Sequence, residues 1–251
     1  MNGNFKVKSL AKALNILECF NLQERELGIT EISKRLGLYK SNVYNIVSTL
    51  EQKGYLEKNE QNNRYHLGFK ILELSYIINS NLGIHKVVKP IMQALANQVK
   101  ETVYFVEPKD GKIIYLDGAY PVSAYAVRAM LGENAEMYCT SLGKAILAFL
   151  PPGEAARALG QQSMKPYTAN TITDMEKLTI ELDRIRQQGY SVDNMEHEHG
   201  IRCVGVPVFD HEGKLRGAIS ISGPSPRLDN NVIKDYARRL TIVAQQISIL
   251  L

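Results

Sequence analysis

Two short amphipathic segments separated by a tight break constrain the fold of this chain more than any other feature. They lie in residues 28–55, GITEISKRLGLYKSNVYNIVSTLEQKGY. In the first segment apolar residues recur at helical spacing, Thr30 supplies an N-cap hydroxyl and Gly37 supplies a stop. The second segment covers residues 40–53 and ends before Gly54, with an apolar stripe of Val43, Ile46, Val47 and Leu50. The spacing predicts a helix-turn-helix.

The opposite face of the second helix is rich in side chains that donate and accept hydrogen bonds: Lys40, Ser41, Asn42, Tyr44, Asn45 and Ser48. A helix with an apolar back and such a front suits the major groove of DNA, where base edges present donors and acceptors. Taken alone, the pattern leaves open an ordinary helical hairpin in a globular core.

The residues that follow favour DNA binding. Residues 54–67 read as a strand, a turn and a returning strand, and a hairpin directly after a recognition helix is a wing. Its tip offers Asn62, Asn63 and Arg64 to the DNA backbone or minor groove. Contacts that position the backbone are expected from Arg64 and from three lysines nearer the N-terminus, Lys6, Lys8 and Lys12.

A first helix capped by Ser9 is predicted ahead of the helix pair, packed behind it through Leu10, Ala13, Leu14, Leu17 and Phe20. After the wing, residues 69–79 are apolar on most faces, which is typical of a helix buried between domains or between two chains. We therefore expect a DNA-binding domain over residues 1–68, a linker helix over 69–83, and an effector-binding and oligomerisation domain over 84–251.

Charge and cysteine usage narrow the class of protein. The formal net charge is +4, and residues 1–80 hold eleven Lys and Arg against eight Asp and Glu, which fits a DNA-facing domain or simply solvated lysines. The three cysteines, Cys19, Cys139 and Cys203, form no CxxC pair and indicate a reducing cytoplasm. There is no signal peptide and no apolar run of membrane-spanning length. Neither GxxxxGK[ST] nor GxGxxG occurs, which removes the commonest nucleotide-using enzymes.

Beyond residue 84 the pattern changes to strands gathered around a few helices. Pro90 lies inside a helical pattern over residues 84–101, so we expect a kink or a start nearer Val88. Strands are predicted at residues 103–107, 112–117, 123–130, 190–194, 203–209 and 214–222. Helices are predicted at residues 140–150, 154–159, 174–188 and 228–251. This arrangement indicates an α+β domain with a central antiparallel sheet.

Three segments beyond residue 84 contain candidate binding, metal-ligating or nucleophilic residues. Residues 138–144, YCTSLGK, place hydroxyls and free amides at a helix start, which is an anion-binding corner or an ordinary capping sequence with Lys144 in solvent. Residues 193–203, DNMEHEHGIRC, contain side chains of the types that bind zinc, but structural zinc sites usually have paired, closely spaced Cys or His ligands and this stretch has a single Cys. Cys203 is a nucleophile or a buried unreactive thiol. Ser220 and Ser222 share one strand face, which lines a polar pocket or faces water.

Six segments resemble the IclR-type bacterial transcription regulators, and together they cover nearly the whole chain. SLAKALNILECF, GITEISKRLGLYKSNVYNIVSTLEQKGYLEKN and RYHLGFKILELS are similar to their winged helix-turn-helix. YCTSLGKAILAFLP, GYSVDNMEHEHGIRCVGVPVFD and GKLRGAISISGPSPRL are similar to their C-terminal effector domain. The resemblance implies a GAF-like effector domain, a homodimer or homotetramer, and control by a small metabolite such as a keto acid, a sugar acid or an aromatic acid.

The resemblance also implies which residues contact the effector: Ser141, Leu142, Asp193, Cys203, Ser220 and Ser222, with an apolar wall of Val127, Met130 and Ala135. Many members of the family carry acidic residues directly after the position of Asp193, whereas this chain has Asn194 and Met195 before Glu196. That departure bears on effector identity. Tyr138 is larger than expected beside the pocket, which favours a small ligand.

The resulting prediction is a cytoplasmic regulator, more specifically a repressor, with no cofactor, no metal and no membrane partner. Two recognition helices of a dimer enter successive major grooves of a palindromic operator, about one helical turn apart. A small carboxylate is held by amides near Ser141 and by the Ser220 and Ser222 hydroxyls, while Asp193 accepts from a ligand hydroxyl. One alternative is a hydrolase or lyase that uses Cys203 with His197 or His199. Another is a DNA-binding protein whose C-terminal half serves only for oligomerisation.

Overall fold

The computed structural model describes residues 5–81, 83–121, 130–160 and 164–251. The chain divides into two compact units, residues 1–82 and 83–251. Among the described residues, every helix is too short or too polar to cross a lipid bilayer.

The first unit is a winged helix-turn-helix followed by a long helix. Its elements are α1 (Lys8–Leu17), α2 (Ile29–Leu36), α3 (Lys40–Gln52), β1 (Leu56–Asn59), β2 (Arg64–Leu67) and α4 (Phe69–Asn81). The core is small and apolar, and Ile16, Ile32, Val43, Val47 and Leu56 are fully buried in it. This confirms the predicted order of helix, turn, helix and wing.

Of the two predicted ends of α2, one is wrong and one is confirmed. The expected cap at Thr30 is wrong, because α2 begins at Ile29 and the Glu31 carboxylate accepts from the Gly28 N–H at 2.7 Å. The stop at Gly37 is confirmed by its left-handed φ of 65°.

The first helix also differs. It begins at Lys8 after Val7, so the expected cap at Ser9 is wrong. Leu10 and Leu14 are 58% and 50% exposed, whereas Ile16 is fully buried and the predicted Leu17 and Phe20 pack against the core. The helix is apolar on more than one side, so periodicity did not identify which side faces the core.

The second unit is a three-layer α+β domain. Its elements are α5 (Gly83–Val99), β3 (Thr102–Lys109), β4 (Lys112–Ala119), β5 (Asn134–Glu136), α6 (Ser141–Phe149), α7 (Pro152–Leu159), α8 (Met175–Gln188), β6 (Ser191–Asn194), β7 (Ile201–Phe209), β8 (Leu215–Pro224) and α9 (Asn230–Ser248). A short 3-10 turn, Ser225–Arg227, precedes α9. The sheet is antiparallel with strand order β5-β4-β3-β8-β7-β6.

Apolar side chains alternate along the central strands and cover both faces of the sheet. Val103, Phe105 and Ile221 belong to one core, together with buried residues of α5 and α9. Tyr104, Val106 and Ala218 belong to the other, together with α6 and α8. The predicted α+β fold with a central antiparallel sheet is confirmed, and α6 is the helix laid across the second face.

Two predicted elements of this unit, and one strand that was not predicted, differ from the sequence-based expectation or cannot be compared with it. The helix does not start near Val88, because α5 runs from Gly83 with Pro90 inside it. The strand predicted at residues 123–130 falls almost wholly on residues 122–129, which lie outside the described residues. The short strand β5 was not predicted; it pairs with Lys112–Ile114 of β4.

Candidate functional site

The exposed face of α3 carries the side chains predicted to meet DNA. The exposed ones are Lys40, Ser41, Asn42, Tyr44 and Asn45, while Ser48 is half-buried. Val43 and Val47 on the opposite face are fully buried. Tyr39, which precedes the helix, was missed although its side chain is 87% exposed. The helix therefore presents a polar front with a large aromatic ring at its N-terminal end.

The wing is held by two carboxylates, one on α2 and one in the loop that precedes it. The Arg64 Nη2 lies 2.7 Å from the Glu31 Oε2, and the Asn62 amide donates to Glu26 at 2.8 Å. Two of the three predicted wing residues thus have partners inside the domain. Asn63, at the tip, is exposed and has a left-handed φ of 55°.

The three N-terminal lysines differ in accessibility. Lys6 and Lys8 are exposed, whereas Lys12 on α1 is half-buried. An exposed ammonium is free to approach a phosphate, and a half-buried one can do so only through the end of its side chain.

In the second unit a small cavity lies between the start of α6, β6 and the ends of β7 and β8. Six residues with predicted effector contacts line it: Met130, Ser141, Leu142, Asp193, Cys203 and Ser222. The described residues leave about 30 Å³ of water-accessible space in it, which is room for about two water molecules. Val127 lies outside the described residues.

Two predicted contacts do not line this cavity among the described residues. Ser220 is fully buried two residues before Ser222 on β8, and its hydroxyl has no hydrogen-bond partner in the part of the chain that the structure describes. Ala135 is buried on β5, in the core beneath α6.

Six lining residues were missed from the sequence: Tyr104, Tyr115, Thr140, His197, Glu198 and Ile201. Tyr104 and Tyr115 stand on neighbouring strands with their rings edge to face, 5.3 Å between centroids. In the sequence they read as ordinary strand aromatics, since alternation alone does not separate a cavity wall from a core. His197 and Glu198 belonged to the segment already singled out for its acidic and imidazole side chains.

The start of α6 supplies backbone donors to the cavity. Thr140 is the N-cap, and its hydroxyl accepts from the Gly143 N–H at 3.1 Å. The first N–H groups of a helix have no acceptor within it, so those of Ser141 and Leu142 remain available at the positive end of the helix dipole. Lys144 is fully buried rather than in solvent, and its ammonium contacts Glu196 instead of the cavity.

Asp193 faces these donors across the cavity as part of a tight turn. Its carboxylate accepts from the Glu196 N–H at 2.6 Å. Burial, reinforced by the nearby Glu196 carboxylate, raises the pKa of Asp193 to about 7. At neutral pH the carboxyl group is therefore divided between a form that only accepts and a form that donates a hydrogen bond.

The cysteines of this region are not arranged for nucleophilic chemistry. Burial and the adjacent Asp193 raise the pKa of the Cys203 thiol, which disfavours the thiolate. Of the two histidines considered with Cys203, His197 lines the same cavity, whereas His199 is exposed and does not. Within the described ranges, no three His, Cys, Asp or Glu side chains come together in a way that would hold a metal ion.

Comparison with known families gives two matches. The model of the bacterial transcriptional regulator IclR C-terminal region matches residues 77–249. The model of the IclR helix-turn-helix domain matches residues 9–60. Together they span both units.

Individual proteins of similar sequence and structure agree. The transcriptional regulator KdgR of Escherichia coli is 34% identical over 96% of this chain and 92% of its own length, and XynR of the same organism is 31% identical over 93% of each. The crystal structure of the Thermotoga maritima IclR protein superposes with a TM-score of 0.75 at 32% identity, covering 96% of this chain and 97% of that one.

Proposed function

The chain belongs to the IclR family of bacterial transcriptional regulators, and on that premise we propose that it represses transcription from a palindromic operator and senses a small organic acid. It is a DNA-binding, ligand-responsive regulator, in a family that regulates transcription rather than catalysing reactions. The repressor role, the acid and the symmetric operator are the proposal.

One observation supports an acidic ligand. The first turn of α6 and a carboxyl group with a pKa of about 7 line the same cavity. A carboxylate ligand accepts hydrogen bonds from the Ser141 and Leu142 N–H groups, which suit an anion. Protonated Asp193 then donates a hydrogen bond to a carbonyl or hydroxyl oxygen of the same ligand. An ionised Asp193 would instead repel the negative charge of that ligand. The Ser222 hydroxyl supplies a further contact.

The class of acid follows from the residues that line the cavity. Because the described lining contains no Lys or Arg, recognition rests on hydrogen bonds, and keto acids and sugar acids offer oxygens for them. Tyr104 and Tyr115 suit a flat ligand such as an aromatic acid. A structure from Microbacterium hydrocarbonoxydans, 21% identical with a TM-score of 0.81, contains 4-hydroxybenzoate. That similarity supports the fold alone, so 4-hydroxybenzoate serves here as a probe.

Repression is supported by the relatives. The E. coli proteins YiaJ, 30% identical, and IclR, 25% identical, are both described as repressors. A chain of this kind acts where duplex DNA is, so we place it in the cytoplasm.

A dimer or tetramer is supported by α4. This helix is apolar on several sides, and Phe69, Leu72, Tyr76 and Ile78 are each more than half exposed. A contiguous apolar helix surface of this kind is typical of an interface. A second copy would bury it and bring two copies of α3 to two half-sites about one helical turn apart.

Titration calorimetry of the full-length chain against pyruvate, glyoxylate, galacturonate and 4-hydroxybenzoate tests the sensor. We expect at least one acid to bind saturably, and the Asp193→Ala variant to bind it at least tenfold more weakly. The matched control is Asp235→Ala, a change at a half-exposed carboxylate on α9. Absence of heat with every acid would contradict the proposal and favour a C-terminal unit that serves only for oligomerisation.

A further inference from the structure

The ammonium of Lys144 is buried in the second unit with two carboxylates. Its side chain is 0% exposed, and Nζ lies 2.5 Å from the Glu196 Oε1 and 3.5 Å from the Glu181 Oε1. It also donates to the Val192 carbonyl of the edge strand β6 at 2.7 Å. Placing an ion pair in such surroundings is costly in desolvation, so the pair needs a role beyond filling space.

The two members of this pair belong to two segments that each supply residues to the effector cavity. Lys144 stands on α6, three residues after Ser141, which lines the cavity. Glu196 closes the turn that begins at Asp193, and its own N–H donates to the Asp193 carboxylate at 2.6 Å. Asp193 is thus held by Glu196, and Glu196 is held by Lys144.

The turn does not hold this conformation by local preference. Met195 has a left-handed φ of 59°, which a side chain with a Cβ adopts rarely. Outside contacts are needed to keep it there. The Thr168 hydroxyl donates to the Met195 carbonyl at 2.7 Å, and the Thr171 hydroxyl donates to the Glu196 carbonyl at 2.6 Å. Lys144 is the contact that ties the turn to α6.

The ion pair of Lys144 and Glu196 leaves a buried polar atom without a hydrogen bond, which reduces its contribution to stability. The second carboxylate oxygen of Glu196, Oε2, is buried and has no hydrogen-bond partner among the described residues. Two apolar side chains of similar volume would avoid that penalty. What apolar side chains cannot supply is a directed hydrogen bond from α6 to the turn.

We propose that Lys144 and Glu196 are positioning residues for the effector site: their ion pair fixes the Asp193–Glu196 turn against α6 and thereby sets effector affinity. The effector-affinity part rests on the proposed sensor function. Neither residue lines the cavity among the described residues, so both act through Asp193.

The test compares Lys144→Met and the double variant Lys144→Met/Glu196→Met with the wild-type chain. Lys177→Met, an exposed change on α8, is the matched control. Three quantities are measured: the thermal midpoint, the hydrogen-exchange rate of the Glu196 amide, and the affinity for whichever acid of the panel binds the wild-type chain.

We expect Lys144→Met to be clearly destabilised, because it leaves Glu196 buried without its cation. The double variant regains most of the thermal midpoint, yet its backbone amide at position 196 exchanges at least tenfold faster than in the wild-type chain, and the acid binds at least tenfold more weakly. A purely structural pair would recover all three quantities together, and that result overturns the proposal.

Two further outcomes are also decisive. If no acid binds the wild-type chain, the sensor function fails and the affinity claim falls with it. The exchange rate then decides the positioning claim alone, and a wild-type rate in the double variant overturns it. If the double variant does not fold, Glu196→Gln takes its place, since it keeps the shape but removes the charge that pairs with Lys144. Exchange at least threefold faster supports the positioning role, and a wild-type rate overturns it.

Discussion

Arg64 of the wing and Glu31 of α2 form an ion pair, with Nη2 2.7 Å from Oε2. The two residues are 33 positions apart, and the pair closes the wing against the helix-turn-helix. An arginine expected to meet phosphate therefore has an intramolecular competitor. Arg64 binds a DNA phosphate only if that contact is more favourable than its ion pair with Glu31.

This competition predicts that Glu31→Gln strengthens DNA binding. Removing the carboxylate frees the Arg64 charge, so affinity for duplex DNA rises several-fold and the salt dependence steepens by about one counterion. Exposed pairs contribute little to stability, so the thermal midpoint changes little. Fluorescence anisotropy over a salt series measures the affinity of Glu31→Gln for duplex DNA. Glu18→Gln, an exposed change at the end of α1, is the control. Equal affinities for both variants would show that Arg64 does not contact DNA.

Substitution of Asn45 on α3 is expected to change base preference as well as affinity for DNA. Its exposed amide stands on the polar front of α3, and loss of a base contact costs about 1–3 kcal/mol. Asn45→Ala should weaken binding to a selected operator about tenfold or more and relax the base preference at one position of each half-site. Asn231→Ala, an exposed asparagine of the second unit, should leave binding unchanged. Selection from random duplexes followed by anisotropy gives both quantities, and an unaltered preference would refute the contact.

Gly143, in the first turn of α6, leaves no room for a side chain. A Cβ there would lie 2.3 Å from the Met137 Cα, and backbone cannot yield as a flexible side chain does. We expect Gly143→Ala to destabilise the second unit by about 3 kcal/mol. Gly153→Ala, where a Cβ meets nothing within 4 Å, should be neutral or slightly stabilising. Urea unfolding compares the two, and equal midpoints would contradict the packing described for α6.

Asp193 predicts a pH dependence of stability. Its pKa is about 7 in the folded chain and about 4 when unfolded, so the folded state holds the proton more tightly. The stabilising contribution is complete below about pH 4 and is lost as pH rises through about 7. Burial also raises the pKa of Glu196, which adds a slope of the same sign.

Urea midpoints between pH 4 and 8 test this dependence. The asparagine variant Asp193→Asn should fall less steeply than the wild-type chain over that range, because only the Glu196 slope remains. Parallel curves for the two proteins would show that Asp193 is ionised throughout the window.

Periodicity identified the buried face of helices with one clear apolar side, and it misassigned the buried face of the first helix. The α3 stripe of Val43 and Val47 placed the recognition helix correctly. The first helix is apolar on two sides, so the same reasoning chose Leu10 and Leu14, which are exposed. Spacing within a segment carries no information about partners elsewhere in the chain.

The effector site shows the same limit. Its predicted residues came from family resemblance and mostly line one cavity. The contact of Lys144 with Glu196, 52 positions away, depends on how α6 crosses the sheet. Tyr104 and Tyr115 read as core residues because the alternation of a strand is the same whether its face meets packed side chains or a cavity.

We propose that this chain couples an α3 lying in the major groove to a separate cavity that binds an acid. The direct test of this coupling is the affinity of the full-length chain for a duplex selected from random sequence, with and without the acid identified by calorimetry. We expect a selected site with two inverted half-sites about one helical turn apart, and an affinity that changes at least fivefold when the acid saturates. A selected pool without symmetry, or an affinity that the bound acid leaves unchanged, would contradict it.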